Sequence, residues 1–161
     1  MSLIAEKRLQ KEFKKMLTGE LPPGIKLAEA NESDVMKPWS MDISLLHNNA
    51  LYAGKTYRLS FKFNRQYPIE PPEVKFITAT DREIPMHPHI YSNGVICLDL
   101  LSAGVGGGWS PVQSVETVCV SIQSMLEGNN INQRPEGDDQ FVYGPQRRIK
   151  DINFVYDDPT V

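Results

Sequence analysis

Trp39, Met41, Ile43 and Leu45 alternate with Ser40, Asp42 and Ser44, and Tyr57, Leu59, Phe61 and Phe63 alternate with Arg58, Ser60 and Lys62. Successive side chains of a strand point to opposite faces, so a period of two gives each segment one apolar and one polar face. Both segments therefore predict half-buried strands. Gly24 to Ala28 and Val74 to Ile77 are weaker strand candidates, and turn-forming residues such as His47-Asn48-Asn49 punctuate the series. Short connections favour pairing of sequence neighbours, which predicts an antiparallel meander of about four strands.

Helical spacing precedes and follows these strands. From Ile4 to Leu17, the apolar residues Leu9, Phe13, Met16 and Leu17 share one face, while Lys7, Arg8, Lys11, Lys14 and Lys15 fill the others. Leu21-Pro22-Pro23-Gly24 cannot continue this basic amphipathic helix, because proline lacks an amide donor and restricts the residue before it. A second helix is expected after Ser110-Pro111, a cap followed by a first-turn proline. Val115, Val118, Cys119, Ile122, Met125 and Leu126 form its apolar stripe, and Gly128 marks its end. The remainder is rich in Asn, Gln, Gly and Pro before a Gln146-Arg147-Arg148 cluster and a Phe154-Val155-Tyr156 patch. The fold class is α+β.

A chain of 161 residues, 40% of them hydrophobic and 9% aromatic, is long enough for one core and short for two. Residues 1–161 are read as one domain, with a core over about 4–127 and a variable C-terminal segment over about 128–161. Against 20 Asp and Glu stand 17 Lys and Arg, and the formal charge of -3 supplies no basic field for nucleic acid or an anionic membrane. No apolar run approaches the ~18 residues of a membrane span. With two cysteines and no leader pattern, the expected setting is the cytoplasm and nucleus, where a disulfide is disfavoured.

Residues 78 to 110 show little periodicity yet hold Met86-His87-Pro88-His89, Asn93-Gly94, Cys97 and a Gly104 to Gly108 run interrupted only by Val105. Long loops with embedded aliphatic and aromatic residues are usually functional, so the chemistry is expected here. Gly94 permits a sharp bend, and its hydrophobic neighbours would pin Cys97 near the surface as a nucleophile. Free cysteine is also among the most buried residue types, so spacing alone leaves a structural thiol open. His87 and His89 would need a third ligand to hold zinc, and none has a recognised spacing, so no metal is expected. At least one of the two, His87, is expected to bond loop backbone. The glycine run lacks the Lys and Ser or Thr of a phosphate-binding loop. Cys119, on the apolar stripe, is read as core.

Taken in order, three runs resemble the ubiquitin-conjugating family: Tyr67-Pro68-Ile69-Glu70-Pro71-Pro72-Glu73-Val74, then His87-Pro88-His89-Ile90-Tyr91-Ser92-Asn93-Gly94-Val95-Ile96-Cys97-Leu98-Asp99, then Trp109-Ser110-Pro111. The resemblance spans residues 4 to 127. It implies the fold of that family: an N-terminal helix, a four-stranded antiparallel meander, a long active-site loop, a central helix and a variable C-terminal segment. It also implies that Cys97 accepts ubiquitin as a thioester from an activating enzyme and passes it to an amine. The implied partners are ubiquitin, the activating enzyme and RING or U-box ligases. ATP belongs to the activating step, so no cofactor is implied.

Most members carry Asn where this chain has His89. That residue, the helix from Val118 to Leu126 and the Tyr156-Asp157-Asp158 ending are similar to the W-type branch. The branch implies mono-ubiquitination of the α-amino group of substrates with flexible N-termini. The implied catalytic set is Cys97 with His89, Asn93 and Asp99. His89 braces the loop, donates to the oxyanion or accepts a proton, and Asp99 orients or deprotonates the amine or is merely a solvated charge or turn partner. Lys7, Arg8, Lys11, Ile69 and Val112 match surfaces that meet the activating enzyme and ligases, and Val120 and Ser124 match the face that holds donor ubiquitin. The 102–108 insertion is longer than usual, a lid or a neutral extension, and Asp138 and Asp139 stay outside the catalytic set. Conjugation of another ubiquitin-like modifier, or a non-catalytic ubiquitin-binding variant, are the alternatives.

Overall fold

The structure, a computed structural model, describes residues 3–144. Helix α1 (Leu3–Thr18) leads into strands β1 (Ile25–Glu29), β2 (Trp39–Ser44), β3 (Thr56–Lys62) and β4 (Glu73–Ile77). A long irregular stretch then contains one 3₁₀ turn (Asp99–Leu101) before helices α2 (Val115–Glu127) and α3 (Asp138–Tyr143). The four strands form one antiparallel sheet in the order β1-β2-β3-β4, the meander expected from the alternation.

Register explains why the alternation is readable. Trp39 pairs with Phe61, Met41 with Leu59 and Ile43 with Tyr57, so apolar side chains of neighbouring strands fall on the same face. Across β3 and β4, Leu59 opposes Phe76 and Phe61 opposes Val74. This face packs with Ala5 and Leu9 of α1 and with Val115, Val118, Cys119, Ile122 and Leu126 of α2 in one buried cluster. Trp39 sits at its centre with Phe13 and Phe63 edge-on at 5.8 and 5.5 Å, and its indole N–H donates to the Val35 carbonyl at 2.9 Å.

Helix α2 begins four residues later than the Ser110-Pro111 signal predicts. Its cap is Ser114, whose hydroxyl accepts from Thr117 N at 3.2 Å while Thr117 Oγ1 accepts from Ser114 N at 2.8 Å. Ser110 to Gln113 is instead a turn, closed by Gln113 N donating to the Ser110 carbonyl at 3.0 Å. Arg8 holds that turn by donating to the carbonyls of Pro111 at 2.9 Å and Gln113 at 2.7 Å. Glu12, 9% exposed, accepts from Val115 N at 2.8 Å and from the Tyr67 hydroxyl at 2.6 Å, so a buried amide of the helix start that has no intrahelical acceptor finds a partner on α1. Burial pushes the Glu12 carboxyl above its ordinary value, against the hydrogen bonds from Tyr67 and Val115 and the charge of Arg8.

Helix α3 and the 3₁₀ turn have no counterpart in the periodicity. The Gln146-Arg147-Arg148 cluster, the Phe154-Val155-Tyr156 patch and the Tyr156-Asp157-Asp158 ending lie outside the described residues. Among the described residues, no helix is long and apolar enough to cross a membrane.

The buried acids of this core set an alkaline limit. Burial pushes the Tyr57 phenol up to about 12, with the charges of Glu83 and Tyr52 adding to it, and burial likewise raises Tyr67 and the Cys119 thiol. In the unfolded chain these groups ionise from their ordinary values of 10.0 and 9.0, so with rising pH the unfolded state loses protons first. Their contribution is complete below pH 9 and is lost above it. Urea unfolding measured from pH 8 to 11 is expected to show stability falling above pH 9, at up to ~1.4 kcal/mol per pH unit for each group. A flat profile across that window would contradict their burial.

Candidate active site

The site is built on a hairpin docked against the edge of β4. Tyr91 N donates to the Val95 carbonyl and Gly94 N to the Tyr91 carbonyl, both at 2.9 Å, which closes the turn. Gly94 has φ +93°, and its carbonyl accepts from Phe76 N at 2.9 Å. A Cβ there would lie 1.9 Å from the Phe76 carbonyl oxygen, so the approach of hairpin to strand requires glycine. Ile96, completely buried, anchors the outgoing arm in the core.

The arm ends at Cys97, whose amide donates to the His89 carbonyl at 2.7 Å. His89 N in turn donates to His87 Nδ1 at 2.8 Å, and Ile90 N to the His87 carbonyl at 3.1 Å. His87 is thus the loop-bonding histidine expected from the sequence. It is completely buried, and that burial, together with the neighbouring His89, holds it down at about 4. A neutral ring with Nδ1 as acceptor follows.

Cys97 is more covered than the sequence reading expects. The residue is 6% exposed, yet it is outside the contiguous apolar cluster that contains Cys119. Burial pushes its thiol up to about 12, and the charge of Asp99 adds to the rise. Asp99 is exposed and opens the 3₁₀ turn, and its carbonyl accepts from Ser102 N at 2.9 Å and Gly108 N at 2.8 Å. These bonds close the base of the 102–108 loop, leaving Val105 fully exposed at its tip. Asn93 sits at the exposed hairpin tip, where its Oδ1 accepts from Val95 N at 3.2 Å. The fold therefore gathers Cys97, the His89 carbonyl and the Asp99 charge, while Asn93 stabilises the turn.

Sequence reasoning missed the contribution of residues after α2. Phe141 stacks on Tyr91 with ring centroids 3.9 Å apart, and Asp138 Oδ1 accepts from Ser92 N at 2.8 Å. Burial raises the Tyr91 phenol, with the Cys97 and Asp138 charges as further causes. The one local signal is Gly137 followed by two acidic residues, a helix-start pattern that says nothing of where the helix docks.

Residues 8–143 match the family described as ubiquitin-conjugating enzyme. The chain belongs to the ubiquitin-conjugating enzyme family. The match reaches beyond residue 127 and includes α3. The chain is 37% identical over 155 residues to a probable ubiquitin-conjugating enzyme E2 W-A of Danio rerio, covering 96% of this chain and 97% of that protein. It is 41% identical over 142 residues to ubiquitin-conjugating enzyme E2 W of Caenorhabditis elegans, covering 88% of each. The crystal structure of the ubiquitin-conjugating enzyme UbcA1 from Agrocybe aegerita is similar with a TM-score of 0.82 at 39% identity, covering 91% of this chain and 99% of that one. The family's fold, expected from the three sequence runs, is the fold found.

On this conjugating enzyme, Ile69 is 70% and Val112 82% exposed. Their loops are joined by the Trp109 indole N–H, which donates to the Pro68 carbonyl at 2.8 Å. Lys7 and Lys11 are exposed on α1. The Arg8 guanidinium is engaged within the fold, with two carbonyls and with Glu12 at 3.2 Å. Val120, 36% exposed, and the exposed Ser124 lie on the face of α2 turned away from its apolar stripe.

Proposed function

We propose that this ubiquitin-conjugating enzyme carries ubiquitin as a thioester on Cys97 and transfers it to the α-amino group of substrates with flexible N-termini. The observation that carries the reading is the suspension of the Cys97 amide from the His89 carbonyl, beside the exposed Asp99 carboxylate. In the first step the Cys97 thiolate attacks the activating enzyme's thioester carbonyl. One carbon–sulfur bond forms, another breaks, and the activating enzyme's thiolate leaves. An amine then attacks the Cys97 thioester, a carbon–nitrogen bond forms, the Cys97 thiolate leaves, and the nitrogen gives up a proton.

His89 braces the loop and Asp99 orients the amine or takes its proton, while Asn93 acts through the hairpin turn. Val120 and Ser124 offer the donor-ubiquitin face. Lys7, Lys11, Ile69 and Val112 offer the surface for the activating enzyme and RING or U-box ligases, with Arg8 supporting the Val112 loop from beneath. The cytoplasm and nucleus are the proposed setting.

The preference for α-amines follows from proton affinity. With ordinary pKa values of ~7.8 and ~10.4, roughly one α-amino group in seven is neutral at pH 7, against about one lysine in 2,500. The negative charge of Asp99 beside Cys97 favours the protonated form of an incoming amine, so the amine that is more readily neutral at pH 7 is favoured. Lysine's greater intrinsic nucleophilicity narrows the gap. With the charged enzyme, an unstructured lysine-free peptide is expected to be modified roughly 10- to 100-fold faster than an N-acetylated peptide of the same length containing lysine. Equal rates, or faster lysine transfer, would reject the α-amino reading. Charging by a different modifier's activating system, and not by ubiquitin's, would replace ubiquitin in the scheme.

A further inference from the structure

The strand of contacts that ends at Cys97 starts from an arginine on the segment after α2. Arg134 Nη1 donates to the Pro85 carbonyl at 2.6 Å and the Ile90 carbonyl at 3.1 Å, and Nη2 donates to the Ile84 carbonyl at 3.2 Å. These three acceptors flank His87-Pro88-His89 on both sides, so one planar guanidinium ties together the entry and exit of that turn. From the turn, the His89 carbonyl receives the Cys97 amide at 2.7 Å. Two further contacts from the same segment press on the next residues, Phe141 on Tyr91 and Asp138 on Ser92 N.

Among the described residues Arg134 makes no direct ion pair; its donors go to three carbonyls, while the charge of Asp138 acts on it from further off. What such an arrangement fixes is the path of the backbone. A guanidinium suits the task because its donors are held in a rigid fork, whereas a lysine ammonium is a point charge on a flexible stem.

We propose that Arg134 is a positioning residue for the transfer step, holding the His87–His89 turn so that Cys97 presents its acyl group to the incoming amine. The inference rests on the reading of Cys97 as the ubiquitin acceptor. Thioester exchange with the activating enzyme needs chiefly a reachable thiolate. Attack by an amine needs the thioester carbonyl, the loop and the amine in mutual register, and a displacement of about 1 Å can cost ~100-fold in rate. Transfer is therefore the step that feels the loss of Arg134.

The test uses the full chain with Arg134→Gln and Arg134→Lys. Each variant is charged with activating enzyme, ATP and ubiquitin, and single-turnover discharge is then followed over a range of concentrations of an unstructured peptide with a free α-amine. Arg134→Gln is expected to discharge roughly 10- to 100-fold more slowly at saturating peptide, with the half-saturating concentration unchanged and charging slowed less than about threefold. Arg134→Lys, which keeps the charge and loses the fork, is expected to fall between Gln and wild type, and it decides the matter if Arg134→Gln does not fold. Discharge at the wild-type rate, or charging and discharge falling together in step with a lowered Tm, would overturn the assignment. A wild-type chain that forms no reductant-sensitive adduct refutes the Cys97 reading itself, whereas normal charging with normal discharge by both variants refutes Arg134 alone.

Discussion

Cys97→Ala is expected to abolish the reductant-sensitive ubiquitin adduct and every transfer that depends on it, a loss of more than ~10³-fold, with little change in stability. The residue is outside the contiguous core cluster, so deleting one sulfur there costs about 1 kcal/mol or less. Cys119→Ala supplies the opposite signature. That side chain is completely buried on the stripe of α2, and its truncation leaves a cavity costing ~1–2 kcal/mol while charging proceeds normally. Gel analysis with and without reductant, beside urea unfolding of both variants, separates the two. An adduct that survives Cys97→Ala and disappears in Cys119→Ala would reverse the assignment. The pH dependence carries the same logic: with the Cys97 thiol pushed up to about 12, only the thiolate reacts, so charging should rise ~10-fold per pH unit from 7 to 9. A rate independent of pH over that range would mean that docking of the activating enzyme brings the thiol down.

How far such a site can be read in advance depends on whether a residue's partners are near in sequence. The strands are legible because burial on one face imposes its period directly on the letters, and β2 and β3 fall within a residue or so of their expected limits. The start of α2 is less legible, since Ser110-Pro111 and Ser114 both satisfy local capping rules. The choice between them is made by Arg8, more than 100 residues away, which holds the Pro111 and Gln113 carbonyls in a turn. The same contact ties into the fold an arginine that spacing along α1 groups with the exposed lysines. Cys97 shows both halves of the problem. Residue type favours burial, which the 6% exposure bears out, while its chemical reading comes from the ordered motifs around it. Tyr91 with Phe141, Ser92 with Asp138, and Arg134 with three carbonyls are pairings between distant segments with no shared periodicity. Nothing local in either partner announces them.

Gly94→Ala is expected to destabilise the protein by ~3 kcal/mol or more, the largest stability loss from adding a single methyl at this site. Two costs combine. At φ +93° an L-residue is strained by ~1–3 kcal/mol, and the new Cβ would stand 1.9 Å from the Phe76 carbonyl oxygen, a backbone atom that cannot swing aside. The hairpin must retreat, which breaks the Phe76 N to Gly94 carbonyl bond and leaves buried groups of both segments without partners. Gly104→Ala isolates the first cost from the second. Its φ is +82°, but a Cβ there meets nothing within 4 Å, so only the conformational term of ~1–2 kcal/mol applies. Urea unfolding of the pair measures the difference, and Gly94→Ala should also charge more slowly at temperatures where it is fully folded, because the displaced arm carries Cys97. If the two alanine variants lose equal stability and charge equally well, then Cys97 does not depend on the docking of its hairpin against β4. The close contact at Gly94 would then serve the sheet edge alone.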